Sequence, residues 1–233
     1  MRQLSTALCC MLVASLGCNS SDQPVPAKTS QPDAAPVAAE PTAVGRLLGL
    51  KRVDLEGLPP LAPQLGAALD DGRIRIAGPE GWRLQPRSQE YLALFLEDPQ
   101  DRFPRILITH EEGDPGAFQT LTEDNVDAFA KSLAEQLDEA ERDVREIRPM
   151  IIGERPCVRY VIFGKTNLHK VETQHLTTVV DGRIYRVDLT DYRQTTEEEP
   201  PIKKHRDHAY AVMAGLDFIE PATDSNDQPT TPE

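Results

Sequence analysis

The sequence is poor in the residues and motifs that equip common enzymes. Of 233 residues only four are cysteine and one is tryptophan, and aromatic residues make up 5%. There is no glycine-rich phosphate loop, no GxSxG nucleophile elbow, no HExxH zinc motif, no paired CxxC and no EF-hand loop. These absences argue against the common enzyme classes. We therefore expect no catalytic residues, no cofactor and no metal.

Basic residues are also scarce relative to acidic ones. Lysine and arginine number 25 against 38 aspartate and glutamate, so the formal net charge is −13. Removal of a leader containing Arg2 would bring that charge to −14. A surface of this sign repels nucleic acid and anionic lipid headgroups. We expect no nucleic-acid partner, and any membrane contact would depend on acyl chains.

The first 17 residues form an apolar stretch that is too short for a permanent membrane span. Arg2 precedes this stretch and the small residue Gly17 ends it, which is typical of a signal peptide over residues 1–17. Ser15-Leu16-Gly17-Cys18 resembles the lipobox of bacterial lipoproteins, with Ser15 where leucine is usual. The resemblance implies attachment of lipid, including palmitate, to Cys18. The alternative is an ordinary secretory peptide.

The cysteine positions favour the lipid interpretation over a disulfide framework. Cys9 and Cys10 would leave with the leader, so the mature chain would keep only Cys18 and Cys157. Cys157 begins an apolar run that is typical of a strand, and such a cysteine is usually an inert core residue.

Composition divides the rest of the chain into four parts. Residues 18–44 are rich in proline and alanine and predict a disordered tether, which as a flexible coil would span on the order of 30 Å. Residues 45–72 contain several leucines interrupted by prolines and receive no assignment beyond a partly ordered lead-in. Residues 73–219 have the size of one globular domain, and residues 220–233 predict a disordered acidic tail.

Within the domain, alternating apolar residues predict strands and two stretches predict helices. The strands fall around Ile74–Ile76, Tyr91–Glu97 and Ile106–Ile108, then at 145–152, 157–163, 168–180 and 183–192. Residues 122–140 predict a helix with Thr122 as its N-cap. A second helix is predicted from Pro201 to Leu216, with His205 on its apolar stripe.

Asp181-Gly182 predicts a two-residue hairpin turn, because a type I′ turn needs positive φ at both central positions. Counting outward from this turn pairs Leu176 with Val187 on an apolar face and His175 with Asp188 on a polar one. Two blocks of antiparallel strands with one helix between them and one after them predict an α+β fold.

Three short segments resemble the PsbP-like domains, including the bacterial DcrB-type lipoproteins. They are Gly78-Pro79-Glu80-Gly81-Trp82, Gly153 to Tyr160, and the hairpin Asp181 to Val187. The resemblance implies a three-layer α/β/α sandwich around a mainly antiparallel sheet over about residues 73–218. It implies an accessory or binding module, and no catalytic set is carried over.

Two polar groupings are weak site candidates. His175 facing Asp188 would be a base with an orienting carboxylate if a nucleophile lay nearby, and Thr177 is on the same face. An ordinary cross-strand pair is the alternative. The run from His110 to Asp114 gathers one imidazole and three carboxylates, but a solvated acidic loop explains it better than a metal site.

The leading hypothesis from the sequence is a non-enzymatic lipoprotein of the bacterial cell envelope that binds an envelope protein. It would face the periplasm or the cell surface, and Asn19, where some bacteria place a retention aspartate, favours the outer membrane. The alternatives are a small-ligand or metal-binding module and a hydrolase built on His175 and Asp188.

Overall fold

A computed structural model describes residues 42–65, 67–111, 116–165, 170–192 and 201–219. The signal peptide, Cys18, nearly all of the tether and the acidic tail lie outside these described residues. After a short 3-10 helix at Val44–Arg46, the elements are, in chain order, β1 Lys51–Val53, β2 Ile74–Arg75, β3 Arg83–Leu84, β4 Ala93–Leu96, β5 Arg105–Glu111, α1 Val126–Glu139, β6 Val144–Ile152, β7 Arg155–Lys165, β8 Lys170–Val180, β9 Arg183–Tyr192, α2 Pro201–Ala214 and β10 Asp217–Phe218.

Eight strands form one sheet in the order β1-β6-β7-β8-β9-β5-β4-β3. All neighbouring pairs run antiparallel except β1 and β6, which are parallel. The short strands β2 and β10 pair separately. The domain is thus a mixed α/β fold dominated by sheet with two helices, in agreement with the predicted α+β class.

The hairpin between β8 and β9 has the predicted register. Val180 pairs with Arg183, Leu176 with Val187 and His175 with Asp188. Asp181 and Gly182 both have positive φ, at 50° and 73°. This backbone is what a two-residue primed turn requires, so the local sequence is sufficient to set the register of the two central strands.

Because side chains alternate along a strand, the sheet presents two faces, and each carries its own hydrophobic cluster. The cluster on the α2 face contains the apolar stripe of α2, including Ile202, Val212 and Met213. Sheet residues of the same cluster are Ile106, Ile108, Met150, Ile152, Cys157, Leu176, Val187 and Leu189. Residues predicted for the helical stripe are therefore buried against the centre of the sheet.

The second cluster lies on the opposite face, under α1. Helix residues Val126, Phe129, Ala130 and Ala134 pack there with sheet residues Ile147, Ile151, Val158, Tyr160 and Val179. Since α1 contacts β6 and β7, this apolar cluster occupies the half of the face near β6. Along β8, β9 and β5 the same face carries polar side chains, together with the apolar residues Val179 and Ile184 near the hairpin turn.

Helix α1 begins later than predicted, because the N-cap is Asn125 rather than Thr122. The Asn125 Oδ1 accepts a hydrogen bond from the Thr122 backbone N–H at 2.8 Å. Residues 123–125 form a turn before the helix. Thr122 matches the preference for an N-cap hydroxyl, but its backbone takes part in this turn, and the Asn125 side chain closes the turn rather than capping the helix.

In β4 the most buried residues are not the alternating leucines. Ala93 and Phe95 are 1% and 3% exposed, whereas Leu94 and Leu96 are only partly buried. Phe95 covers Gly78, where an added Cβ would lie 2.2 Å from its ring carbon Cε1. Gly78 is therefore required because Phe95 packs closely against it. Gly81 has a different role, since its φ of 83° belongs to a turn.

Residues before 73 belong to the packed body. Strand β1 pairs with β6, Leu69 is buried, and Ala43 is 4% exposed although the tether was predicted to reach residue 44. The Asp138 carboxylate in α1 accepts hydrogen bonds from the Ala43 and Val44 backbone N–H groups. No helix among the described residues is both long and apolar enough to cross a membrane.

Candidate functional site

The predicted pair of His175 and Asp188 is formed. Their strands β8 and β9 are hydrogen-bonded neighbours, and His175 Nδ1 lies 2.7 Å from Asp188 Oδ1. The side chains are 14% and 9% exposed, so the pair is more enclosed than expected for an open polar face. A carboxylate in this position fixes the orientation of the imidazole ring.

Arg186 links this pair to the edge of β5. Its Nε donates to Asp188 Oδ2 at 3.1 Å, and its Nη1 lies 2.6 Å from Glu111 Oε1. Burial lowers the pKa of Arg186, but the carboxylates of Asp188 and Glu111 and the Tyr160 phenol raise it, and the net change is upward. Arg186 is thus a fixed cation between two carboxylates.

The aromatic wall of this cluster is Tyr160, whose ring stacks on His175 with centroids 4.6 Å apart. Burial raises the pKa of Tyr160, and the positive charge of Arg186 opposes that rise only in part. In the part of the chain that the structure describes, no hydroxyl or thiol forms a hydrogen bond with His175. The geometry therefore orients the His175 imidazole as a base, but it places no nucleophile within hydrogen-bond distance of that base among the described residues.

The run from His110 to Asp114 does not act as one group. His110 and Glu111 are neighbours on β5, so their side chains lie on opposite faces of the sheet. His110 Nδ1 is 3.5 Å from Asp70 Oδ1 on the α2 face, whereas Glu111 contacts Arg186 on the other. Glu112, Gly113 and Asp114 lie outside the described residues.

A second histidine cluster, on the α2 face, was not predicted. His205 Nδ1 lies 2.8 Å from Asp191 Oδ2, and its Nε2 is 3.3 Å from Glu97 Oε2. His205 and Asp191 are 4% and 3% exposed. His208 and Trp82 complete the cluster, with their ring centroids 5.5 Å apart.

Two signals in the sequence point to this cluster when they are combined. His205 falls on the apolar stripe of α2, and Asp191 falls on the same face of β9 as the buried Val187 and Leu189. A buried polar residue needs a polar partner, so two such residues on facing apolar surfaces are expected to meet. Neither signal alone identifies the partner, because the pairing depends on how α2 docks.

His208 makes stability sensitive to acid. Burial lowers the pKa of its imidazole below the ordinary value of 6.5, and His205 lowers that pKa further. A depressed folded-state pKa means that the unfolded chain binds the proton more tightly. The free energy of unfolding is therefore expected to fall as the pH drops from about 7 to about 5.

Urea unfolding at several pH values checks this expectation. The fall should be smaller for His208→Gln, which cannot bind the proton, and unchanged for Lys131→Gln, an exposed residue on α1 whose charge does not act on His208. An equally steep fall in His208→Gln would show that other groups cause the acid sensitivity.

Within the described residues, no group of three or more histidine, cysteine, aspartate or glutamate side chains is placed to hold a metal ion. The cluster around His205 is held together instead by direct imidazole–carboxylate contacts.

Cys157 lies in the α2-face core and is fully buried. Burial raises the pKa of its thiol from 9.0 to about 12, and Arg155 lowers it only in part. Because the thiolate is the reactive form, we expect no alkylation of Cys157 by iodoacetamide in the native chain at about pH 8. Peptide mapping should find rapid labelling only after denaturation in urea, and labelling of the native chain would contradict this core position.

Comparisons with known proteins identify no family. No protein-family model and no curated protein matches the sequence. A structure from Bacteroides thetaiotaomicron VPI-5482 is 14% identical with a TM-score of 0.43, and the match covers 64% of this chain and 46% of that one. The structure of LpqN of Mycobacterium tuberculosis, a protein involved in cell envelope biogenesis, is 13% identical with a TM-score of 0.36, covering 63% of this chain and 83% of that one. The chain thus spans less than half the length of the Bacteroides structure, and likeness at this level transfers no function.

Proposed function

We propose that the chain is a non-enzymatic accessory lipoprotein of the bacterial cell envelope, anchored by lipid on Cys18 and binding an envelope protein through its folded domain. The observation that carries the proposal is the order of segments: an apolar leader, Ser15-Leu16-Gly17-Cys18, a proline- and alanine-rich stretch, and then a packed domain from about residue 42. A flexible stretch of this length would let the domain reach partners on the order of 30 Å from the lipid surface.

We also propose that the domain is a PsbP-like three-layer α/β/α sandwich. Support comes from the hydrophobic clusters, which put α1 and α2 on opposite faces of the sheet. Further support comes from the three resembling segments. They lie just before β3, across the turn from β6 into β7, and in the β8–β9 hairpin.

The site geometry does not support the hydrolase built on His175 and Asp188. His175 and Asp188 are oriented as a base and its carboxylate, but Asp188 is shared with Arg186. Tyr160 covers one face of the imidazole. These contacts account for the polar residues as a cross-strand network that stabilises the sheet.

The proposed location is the periplasmic side of the outer membrane or the cell surface. Asn19 follows the modified cysteine, and the formal charge of −14 after loss of Arg2 disfavours attraction to anionic headgroups. Attachment would therefore depend on the acyl chains at Cys18, of which more than one is needed for stable anchoring.

Metabolic labelling with radiolabelled palmitate in the native host tests the anchor. The wild-type chain should incorporate label and fractionate with membranes, and Cys18→Ser should lose the label. Cys10→Ser is the matched control, because that residue would leave with the leader and its substitution should keep the label. An unlabelled wild-type chain found in the cytosolic fraction would refute the proposal.

Crosslinking followed by pull-down from solubilised envelopes tests the binding role. The same partner should be recovered from independent preparations and under several detergents. Recovery of the chain alone under all of these conditions would contradict a protein-binding function.

A small-ligand role is the second candidate, and it is favoured by a groove beside α2 whose lining is basic.

A further inference from the structure

A groove runs between the polar side of α2 and the sheet edge formed by β1, β6 and β7. Its volume is about 240 Å³. Five cationic side chains line it: Lys51, Arg148, Arg159, Lys203 and Arg206. They come from four separate elements, so the groove is built by the tertiary fold rather than by one basic run in the sequence.

The charge of this groove is opposite to that of the chain. One carboxylate, Glu146, also lines it, and Asp207 accepts a hydrogen bond from Arg206 at 3.0 Å just outside. When Arg206 is set aside with its carboxylate partner, four cations against Glu146 leave a local excess of positive charge among the described residues, in a chain whose formal net charge is −13. An excess of this kind is a feature that a binding site for an anion requires.

Arg159 is held rigidly at the floor of the groove. Its side chain is 12% exposed, its Nε donates to Gln174 Oε1 at 2.7 Å, and its Nη1 lies 2.9 Å from Glu146 Oε1. Gln174 is itself fully buried in β8. Because the orientation of the guanidinium is already fixed, ligand binding would cost little side-chain conformational entropy.

Arg148 leaves a donor without a hydrogen bond in the same place. Its Nε is buried and has no hydrogen-bond partner among the residues that the structure describes, with Glu146 Oε1 at 3.4 Å as its nearest charged neighbour. The side chain as a whole is 30% exposed and lines the groove, so its other guanidinium nitrogens are the ones that a ligand oxygen could reach.

Tyr210 adds a neutral donor to the lining. Burial raises the pKa of its phenol, and although Arg159 and Arg206 lower that pKa, the net change is upward. The phenol is therefore protonated at neutral pH, and its O–H can donate to an anion. The Arg206 guanidinium lies 5.7 Å from the centre of the Tyr210 ring.

We propose that this groove binds a phosphate group carried by a small molecule or by a lipid headgroup. The planar fork of a guanidinium matches two phosphate oxygens at once, and two such forks line the groove from neighbouring strands. The excess of positive charge suits a phosphate better than a single carboxylate. The volume is below the roughly 300–1,000 Å³ of pockets for drug-sized ligands, which suits one phosphate with a small substituent.

This inference stands on the groove alone and does not depend on the lipid anchor at Cys18. Isothermal titration of the full chain with inorganic phosphate, glycerol 3-phosphate and glycerophosphoglycerol tests it. The first two probes represent free phosphates, and the third is the deacylated headgroup of phosphatidylglycerol. Preferred binding of the first two assigns the site to a soluble phosphate, and preferred binding of the third assigns it to a headgroup.

The substitutions are made at lysines on the rim of the groove. The arginines are left in place because they also form ion pairs and hydrogen bonds within the fold. Lys51→Gln with Lys203→Gln should weaken binding of the preferred probe by about tenfold or more, because the double variant removes two of the positive charges that attract the anion. Lys131→Gln, an exposed lysine on α1 and the opposite face, is the matched control and should leave affinity unchanged. Lys203→Gln alone, at an exposed position, gives a second test if the double variant has a lower melting temperature.

Two results would overturn the proposal. One is the absence of measurable binding of all three probes at millimolar concentration. The other is binding that Lys131→Gln weakens as much as the rim variants do, since this would reflect nonspecific charge rather than the groove.

Discussion

Replacing Asp70 by asparagine is expected to lower the free energy of unfolding by about 3 kcal/mol, which is at the lower end of the cost of breaking a buried ion pair. The Asp70 side chain is 2% exposed, and its Oδ1 lies 2.6 Å from Arg183 Nη1. Its Oδ2 accepts a hydrogen bond from the Tyr185 hydroxyl at 2.6 Å. Asparagine keeps the shape of the side chain but removes the charge, so the Arg183 cation loses its counterion.

The choice of asparagine also preserves the backbone. Asp70 has a φ of 51°, a left-handed conformation that asparagine tolerates as well as aspartate does. Arg183 is 21% exposed, so water compensates part of the loss, and for this reason the lower end of the range applies.

Asp71→Asn is the matched control for this change. Asp71 occupies the same turn with a φ of 53°, but it is exposed to solvent. Its substitution is expected to change the free energy of unfolding by less than about 0.5 kcal/mol. Urea unfolding of both variants measures the difference, and equal effects would show that the turn rather than the buried carboxylate determines stability.

Local sequence is sufficient for the features that depend on neighbours along the chain. The hairpin register follows from Asp181-Gly182 because the turn dictates which residues pair. The pairing of His175 with Asp188 follows from that register by counting. Helix α2 follows from an apolar stripe with a first-turn proline, and its predicted stripe residues are buried.

The features that were missed or misplaced depend on contacts between distant segments. Phe95 of β4 packs over Gly78, which lies in the segment between β2 and β3. The alternation of residues within β4 does not reveal this contact. The partner of His205 is Asp191 only because α2 docks across β9. The groove beside α2 combines Lys51 with residues more than 90 positions later, and no local motif joins them.

On the polar face of the sheet, the alternation of apolar and polar residues along the strands does not indicate how deeply the polar side chains are buried. The alternation in β8 and β9 separates an apolar from a polar side, and the Leu176 side is buried as the pattern indicates. It does not reveal how far the polar side is enclosed. That enclosure comes from Tyr160 of β7, which stacks on His175, and from Arg186, which joins Asp188 to Glu111 of β5.

Leu176→Ala tests the α2-face core and is expected to lower the free energy of unfolding by about 2–5 kcal/mol. Leu176 is fully buried in β8, at the centre of the sheet, opposite Arg159 of β7 and Val187 of β9. Truncation to alanine removes apolar contacts and leaves a cavity that rigid strands on both sides cannot close, so the cost should lie above that of a peripheral leucine.

Leu84→Ala provides the comparison for that experiment. Leu84 lies in the edge strand β3 and is 46% exposed, so its truncation removes little buried surface and opens no cavity. We expect a loss below about 1 kcal/mol for this variant, in keeping with surface substitutions. Urea unfolding followed by circular dichroism measures both. Similar losses for the two leucines would mean that the sheet centre relaxes around position 176, and that the core between β8 and α2 packs less tightly than its burial indicates.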